Sequence, residues 1–259
     1  MKISLAQMNI VWENQFINMQ KCETFIKEAH EKDSALILFP EMSLTGFTMN
    51  IPSLDVEEEF ILDWLKRQAV KYEINIGFGF AIKKETKAEN KFVMVSKTGE
   101  LLSSYTKIHP FTYGKEDLFY SKGKEISVCN IDNINISTFI CYDLRFPEIF
   151  QAASKRAQLI TVAASWPKER IQHWHVLLRA RAIENQCFIA GINRCGEGGG
   201  LYYEGNSVIV APSGEFMNEF ILGEELVTVE VDFDLINKVK ESFDIKKDRQ
   251  ETLYVDLLK

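Results

Sequence analysis

Five consecutive apolar residues, Ala35-Leu36-Ile37-Leu38-Phe39, interrupt a chain that elsewhere mixes apolar and polar positions. The run is short, lacks a polar face and stops at a proline, so it reads as a strand buried on both sides. Strand-like and helix-like segments alternate around it, which predicts an α/β fold. Strands are expected over residues 2–9, 74–82, 91–96, 101–106, 134–140, 158–164, 187–193, 205–211, 215–221 and 226–232. Helical spacing covers 14–32, with Phe16, Met19, Phe25, Ile26 and Ala29 on its apolar positions, and further helices are expected near 55–72, 146–156 and 168–186. Lys97-Thr98-Gly99-Glu100 and Pro212-Ser213-Gly214-Glu215 read as hairpin turns. Gly196-Glu197-Gly198-Gly199-Gly200 lies between strands and reads as a flexible loop rather than a phosphate cradle.

With 259 residues and no Pro/Gly/Ser linker, one domain is expected over 1–259. Its last part, 233–259, reads as a polar tail with an apolar end, packing on the domain or on a partner subunit. A net charge of −7 and the lack of a basic run argue against nucleic acid as a partner. No stretch is apolar and long enough to cross a bilayer, so no membrane partner is expected. The five cysteines, 22, 129, 141, 187 and 195, form no CxxC pair and are odd in number. Free thiols in a reducing compartment, the cytoplasm, are therefore the expectation.

Three positions at strand ends carry chemistry. Cys141 closes the alternating run Ile134 to Ile140 and precedes a turn that opens into a helix. Backbone N–H groups there would favour a thiolate, which makes Cys141 a candidate nucleophile. Glu41, just past the buried strand, is a candidate general base, or else a surface glutamate or helix cap. Lys107, in Tyr105-Thr106-Lys107-Ile108-His109, could turn inward to stabilise developing negative charge, or remain solvated. His109 invites a Cys–His dyad, but no feature pairs it with Cys141. His173 and His175 are two apart on an expected helix, point to different faces and make a poor metal pair. Cys22 and Cys187 fall in apolar-periodic segments and read as packing residues. No GxSxG, P-loop or dinucleotide fingerprint occurs.

Three segments together resemble the nitrilase superfamily of carbon–nitrogen hydrolases. They are Phe39-Pro40-Glu41 with Thr45-Gly46, Tyr105-Thr106-Lys107-Ile108-His109, and Ile140-Cys141-Tyr142-Asp143-Leu144-Arg145-Phe146-Pro147-Glu148. Ala180 to Gln186, Gly191 to Arg194 and Ala211 to Glu215 extend the match. Glu41-Met42 with Gly46-Phe47, Ser165-Trp166-Pro167 and Tyr202 to Ser207 resemble its omega-amidase branch, the 2-oxoglutaramate amidases.

The resemblance implies a four-layer α-β-β-α sandwich that forms homodimers or higher homo-oligomers. It implies Glu41 as general base, Lys107 as oxyanion-stabilising lysine, Cys141 as nucleophile and Glu116 as a second glutamate. The backbone N–H of Tyr142 would be the other oxyanion donor. The implied reaction is hydrolysis of a small-molecule amide through a thioester, with no metal or organic cofactor. For an omega-amidase the substrate is a small dicarboxylic monoamide such as 2-oxoglutaramate or 2-oxosuccinamate. Arg145 could bind its carboxylate, or form a structural ion pair with Asp143 or Glu148. Phe47, Tyr142 and Trp166 are candidate pocket walls, or core. The triad alone does not separate this reading from a nitrilase, a carbamoylase or another amidase. Intact Glu41, Lys107 and Cys141 argue against a non-catalytic binding member.

Overall fold

The computed structural model describes residues 1–257. In chain order the strands and helices of the first half are β1 (Lys2–Gln7), α1 (Gln15–Glu31), β2 (Leu36–Leu38), α2 (Glu58–Lys71), β3 (Asn75–Ile82), β4 (Glu89–Val95) and β5 (Leu101–Thr106). Then come α3 (Glu116–Phe119), β6 (Val128–Ile131), β7 (Ile134–Ile140), α4 (Pro147–Ala153), β8 (Leu159–Ala164), α5 (Ile171–Asn185) and β9 (Phe188–Asn193). The chain continues through β10 (Cys195–Gly198), β11 (Leu201–Glu204), β12 (Val208–Val210), β13 (Glu225–Glu230), α6 (Leu235–Ser242) and α7 (Glu251–Leu257).

Two sheets form the centre. One has the order β13-β1-β2-β3-β4-β5 and the other β12-β9-β8-β7-β6. Within the first, β1, β2 and β3 run parallel, and within the second, β7, β8 and β9 do. The side-chain period of two explains how β2 is buried on both faces. Leu36 and Leu38 pack inward with Phe139 and Val162 of the second sheet, while Ile37 and Phe39 pack outward against the helices.

α1 buries residues 15, 18, 19, 22, 25, 26 and 29, and α2 buries 61, 64, 65, 68 and 69, one stripe of helical spacing each. Both cover the outer face of the first sheet. Phe16, counted in the apolar pattern of α1, lies off that stripe and is exposed. On the far side, Trp174, Leu178 and Ala182 of α5 are fully buried, and Gly191 of β9 leaves room for Leu178 and Trp174. The layers are therefore helix, sheet, sheet, helix, the α-β-β-α sandwich. Each fully buried Leu or Trp of these seams contributes roughly 1.5–3 kcal/mol.

Three segments differ from their sequence reading. Gly196 to Gly200 is not a loop: β10 and β11 pair as a hairpin whose two-residue turn, Gly199-Gly200, has φ of +56° and +77°. Such a left-handed pair matches the strand twist, and glycine adopts it without strain. Residues 215–221 form no strand, because the Asn218 side chain bonds Ile209 N–H (3.0 Å) and the Ser207 carbonyl (3.1 Å) where a ladder would run. The tail, whose apolar end could equally have added a strand to the domain, holds the two helices α6 and α7. Gln186 Nε2 donates to Phe243 O, Lys246 Nζ to Ser154 O and Arg249 Nη2 to Gln151 Oε1, at 2.6–2.9 Å. Leu258 and Lys259 of that tail lie outside the described residues.

The topology gathers chemistry at one end. β2, β5, β7 and β8 all deliver the chain to the same edge, where ligand sites of parallel sheets form. Gly79 of β3 is the docking point: Ser43 N–H bonds its carbonyl at 2.8 Å, and a Cβ there would lie 2.3 Å from the Pro40 carbonyl oxygen. A Gly79→Ala substitution is expected to push the Pro40-Glu41 segment outward and destabilise the fold by about 1–3 kcal/mol. Urea unfolding of the variant beside the parent chain measures this loss.

Candidate active site

Glu41 follows β2 through Pro40 and is fully buried. Its carboxylate has no water to lean on, and three donors replace it. Oε1 accepts from Lys107 Nζ and Asn90 Nδ2, both at 2.8 Å, and Oε2 accepts from the backbone N–H of Ser165 at 2.9 Å. Ser165 stands just past β8, so this bond ties the two sheets together at their common edge.

Lys107 leaves β5 and turns inward. Its N–H donates to Asn90 O at 2.9 Å and its carbonyl accepts from Gly123 N–H at 2.8 Å, which fixes the stem. The ammonium sits between Glu41 and Glu116, 2.8 Å from an oxygen of each, with the Phe47 ring 5.3 Å away. Burial alone would push its pKa down, but Glu116 and Glu41 outweigh it and hold the ammonium well above its ordinary range. Glu116 accepts from Phe111 N–H at 2.6 Å and from Asn90 Nδ2 at 3.0 Å. Its own pKa is raised, first by burial and then by the charge of Glu41, against the pull of Lys107.

Cys141 ends β7 with φ of +47°, a strained value for a residue with a side chain. Asp143 braces the turn: its Oδ2 accepts from Ile140 N–H (3.0 Å) and Tyr105 Oη (2.7 Å), its Oδ1 from His109 N–H (3.0 Å). His109 Nδ1 lies 2.8 Å from the same Oδ1, and the ring stacks on Phe146 at 3.8 Å. That histidine is committed to the brace and makes no Cys–His dyad. The Cys141 thiol points to the Ser165 carbonyl at 3.9 Å. Glu41 and the thiol are thus held by the N–H and the C=O of one residue. Burial, then the Glu41 charge, push the thiol pKa well above its ordinary value, and Lys107 only partly opposes them. The turn's backbone therefore does not yield the resting thiolate expected from sequence.

The thiol opens on a pocket. Phe47, Phe111, Tyr142, Trp166, Leu201 and Tyr203 line it, together with Arg145 and Arg170. Arg145 forms no ion pair with Asp143 or Glu148 among the described residues; it stacks over Trp166 at 4.8 Å, with Nη2 3.3 Å from His173 Nδ1. Arg170 lies over Phe111 at 5.7 Å. Sequence reasoning missed Asn90, Arg170, Tyr203 and the backbone role of Ser165. None stands in a chemical motif, although the Tyr203 and Ser165 segments carried the branch resemblance. The assembly offers a nucleophile, an acceptor for its proton, a fixed cation and a partly apolar pocket, which is what acyl transfer from an amide needs.

Comparison with known proteins agrees. The carbon–nitrogen hydrolase family matches residues 2–241. The chain is 34% identical over 256 residues to a 2-oxoglutaramate amidase of Bacillus subtilis (strain 168), covering 97% of this chain and 98% of that protein. It is 34% identical over 245 residues to the omega-amidase YafV of Yersinia enterocolitica, covering 94% of each. Among solved structures, a CN-hydrolase superfamily protein from Xanthomonas campestris with an arsenic adduct in its active site superposes with a TM-score of 0.90. It shares 29% identity, over 96% of this chain and 97% of that one. An amidase from Nesterenkonia sp. AN1, bearing acrylamide added to its active-site cysteine, gives a TM-score of 0.88 at 25% identity over 99% of each chain. The chain belongs to the carbon–nitrogen hydrolase family, and its chemistry is cysteine-dependent amide hydrolysis.

Replacing Glu41 by glutamine removes a negative charge that raises the Cys141 pKa and leaves Lys107, which lowers it. The thiol of Glu41→Gln is expected to titrate at lower pH than that of the parent chain. Thiolate absorbance at 240 nm against pH, with Cys141→Ala subtracted, measures the shift.

Proposed function

We propose that the chain releases ammonia from the terminal amide of small omega-amido acids, such as 2-oxoglutaramate and 2-oxosuccinamate, through a thioester on Cys141. The observation that carries this reading is the pair of guanidiniums in the Cys141 pocket, Arg145 and Arg170, neither of which has a carboxylate partner among the described residues. A carboxylate on the substrate satisfies them, and planar guanidiniums suit it in bidentate geometry. The names of the two 34% identical relatives support the same class.

In this mechanism Glu41 takes the thiol proton as sulfur attacks the amide carbon. The carbonyl oxygen becomes an oxyanion, held by Lys107 and the backbone N–H of Tyr142. Glu41 returns its proton to the nitrogen, the C–N bond breaks and ammonia leaves. Glu41 then takes a proton from water, whose oxygen attacks the thioester, and the C–S bond breaks as the thiol is reprotonated. Amide and water yield acid and ammonia. Glu116 keeps Lys107 an ammonium and fixes its position; Phe47 and Trp166 wall the acyl group.

The reading extends to a cytoplasmic homodimer or higher homo-oligomer, with a small-molecule amide as substrate and neither nucleic acid nor membrane as partner. All five cysteines stand as free thiols, which fits a reducing compartment. α5 exposes Val176 and Ile183 on its outer side, an apolar surface that a second copy would cover. Sedimentation is expected to give twice the chain's mass or a higher multiple of it.

Ammonia release from 2-oxoglutaramate, N-carbamoyl amino acids and simple nitriles tests the substrate. Activity confined to the last two overturns the reading. Cys141→Ala is expected to abolish turnover while its unfolding curve stays that of the parent. With the parent chain, a mass increase equal to the acyl group should appear on Cys141; turnover by Cys141→Ala would overturn the mechanism.

A further inference from the structure

Three tyrosines in this fold are at most 2% exposed: Tyr105, Tyr120 and Tyr203. A buried phenol ordinarily finds a hydrogen-bond partner. Tyr105 Oη has Asp143 Oδ2 at 2.7 Å, and Tyr120 Oη has Thr48 O at 2.7 Å. The Tyr203 hydroxyl has none among the described residues, yet it is not among the buried polar atoms left without a partner, and Tyr203 lines the Cys141 pocket.

The ring that carries this hydroxyl is held from behind. Arg194 is fully buried, and its guanidinium lies over the Tyr203 ring at 4.6 Å. Arg194 donates to the carbonyls of Ile10 (3.0 Å), Cys195 (3.2 and 3.3 Å) and Glu197 (2.9 Å), with no carboxylate partner among the described residues. A buried guanidinium without a counter-ion is costly to keep. Here it forms a rigid floor beneath Tyr203. Pairing of Tyr203 with Gly196 across the hairpin, and the 2.8 Å ion pair between Glu204 and Lys168, fix the strand that carries the ring. Burial raises the phenol pKa to about 12, against the pull of Arg194 and Arg170 and with the push of Cys141 and Glu41, so the hydroxyl keeps its proton.

We propose that Tyr203 determines specificity for the oxygen on the carbon next to the substrate's carboxylate, donating a hydrogen bond from its hydroxyl to a 2-oxo group. Charge decides the assignment: Arg145 and Arg170 suit the carboxylate, and the neutral phenol suits the neutral oxo oxygen. Arg194 is then a positioning residue for Tyr203. The inference rests on the omega-amido acid reading of the site.

The test uses 2-oxoglutaramate and glutaramate, which differ only in that oxo group. kcat and KM are measured for the parent enzyme and for Tyr203→Phe, whose fold is checked by thermal unfolding. The variant is expected to lose roughly tenfold in kcat/KM on 2-oxoglutaramate, mainly through KM, and to keep its value on glutaramate. A parent enzyme active on these amides, with a variant that loses equally on both or on neither, overturns the Tyr203 assignment alone. A parent enzyme inactive on both overturns the substrate reading and this assignment with it.

Discussion

A lysine ammonium buried out of reach of water must be surrounded by anionic oxygen, and Lys107 is placed between two carboxylates for that reason. Much of the edge of the sandwich follows from this arrangement. Glu41 comes from the end of β2, Lys107 from the end of β5 and Glu116 from α3, so one ammonium draws together three separated segments. Removing one partner of such a buried pair typically costs about 3–5 kcal/mol, because the remaining charge is stranded. Asn90 reinforces the cluster by donating from one amide nitrogen to both carboxylates. The free oxygen of Glu41 then reaches Ser165 of the other sheet, which makes the same network a clamp between the layers.

The cluster also sets the state of the thiol. Burial is the largest penalty on the Cys141 thiolate, and the charge of Glu41 adds to it more than Lys107 relieves it. The stored form is therefore the less nucleophilic thiol. Attack on a carbonyl moves negative charge from sulfur to an oxygen, so a thiol whose proton leaves only as substrate engages loses little. The left-handed backbone at Cys141 adds strain that the Asp143 brace contains, and it commits His109 to that brace.

Most strands and helices and the strand-end residues were legible in the sequence, because each rests on a pattern longer than one residue; the stacking of the four layers came from the family resemblance. The both-sided burial of 35–39 and the helical stripes of α1 and α2 are periodicities; Glu41, Lys107 and Cys141 each follow a readable strand. What escaped depends on contacts between distant segments. Ser165 acts through its backbone, which no side-chain pattern announces. Asn90 is an amide inside β4 whose use appears only when Glu41 and Glu116 meet it. The Gly199-Gly200 turn makes a hairpin because both residues take positive φ, whereas glycine clustering alone reads as slack. The strand expected at 215–221 is displaced by one asparagine side chain, a local competition that β-propensity does not register.

The division of labour in the pocket follows the same line. The residues to which the proposed mechanism gives bond making, Glu41, Lys107 and Cys141, stand at the ends of sheet strands, where two packed layers fix them. The other pocket residues of the proposal stand elsewhere: Arg145 in the turn after β7, Arg170 in the turn before α5, and Tyr203 on the β10–β11 hairpin. Turns and hairpins accept substitution without disturbing a core, whereas strand ends here are locked by ion pairs and close backbone contacts. A fold built this way can retain one reaction while its acyl preference changes. Tyr203 is the intermediate case, since Arg194 beneath its ring gives a hairpin residue the rigidity of a strand. Selectivity for a neutral oxygen needs that rigidity more than charge recognition does. A guanidinium still attracts a carboxylate when displaced by an ångström, but a neutral hydrogen bond weakens steeply with distance and angle.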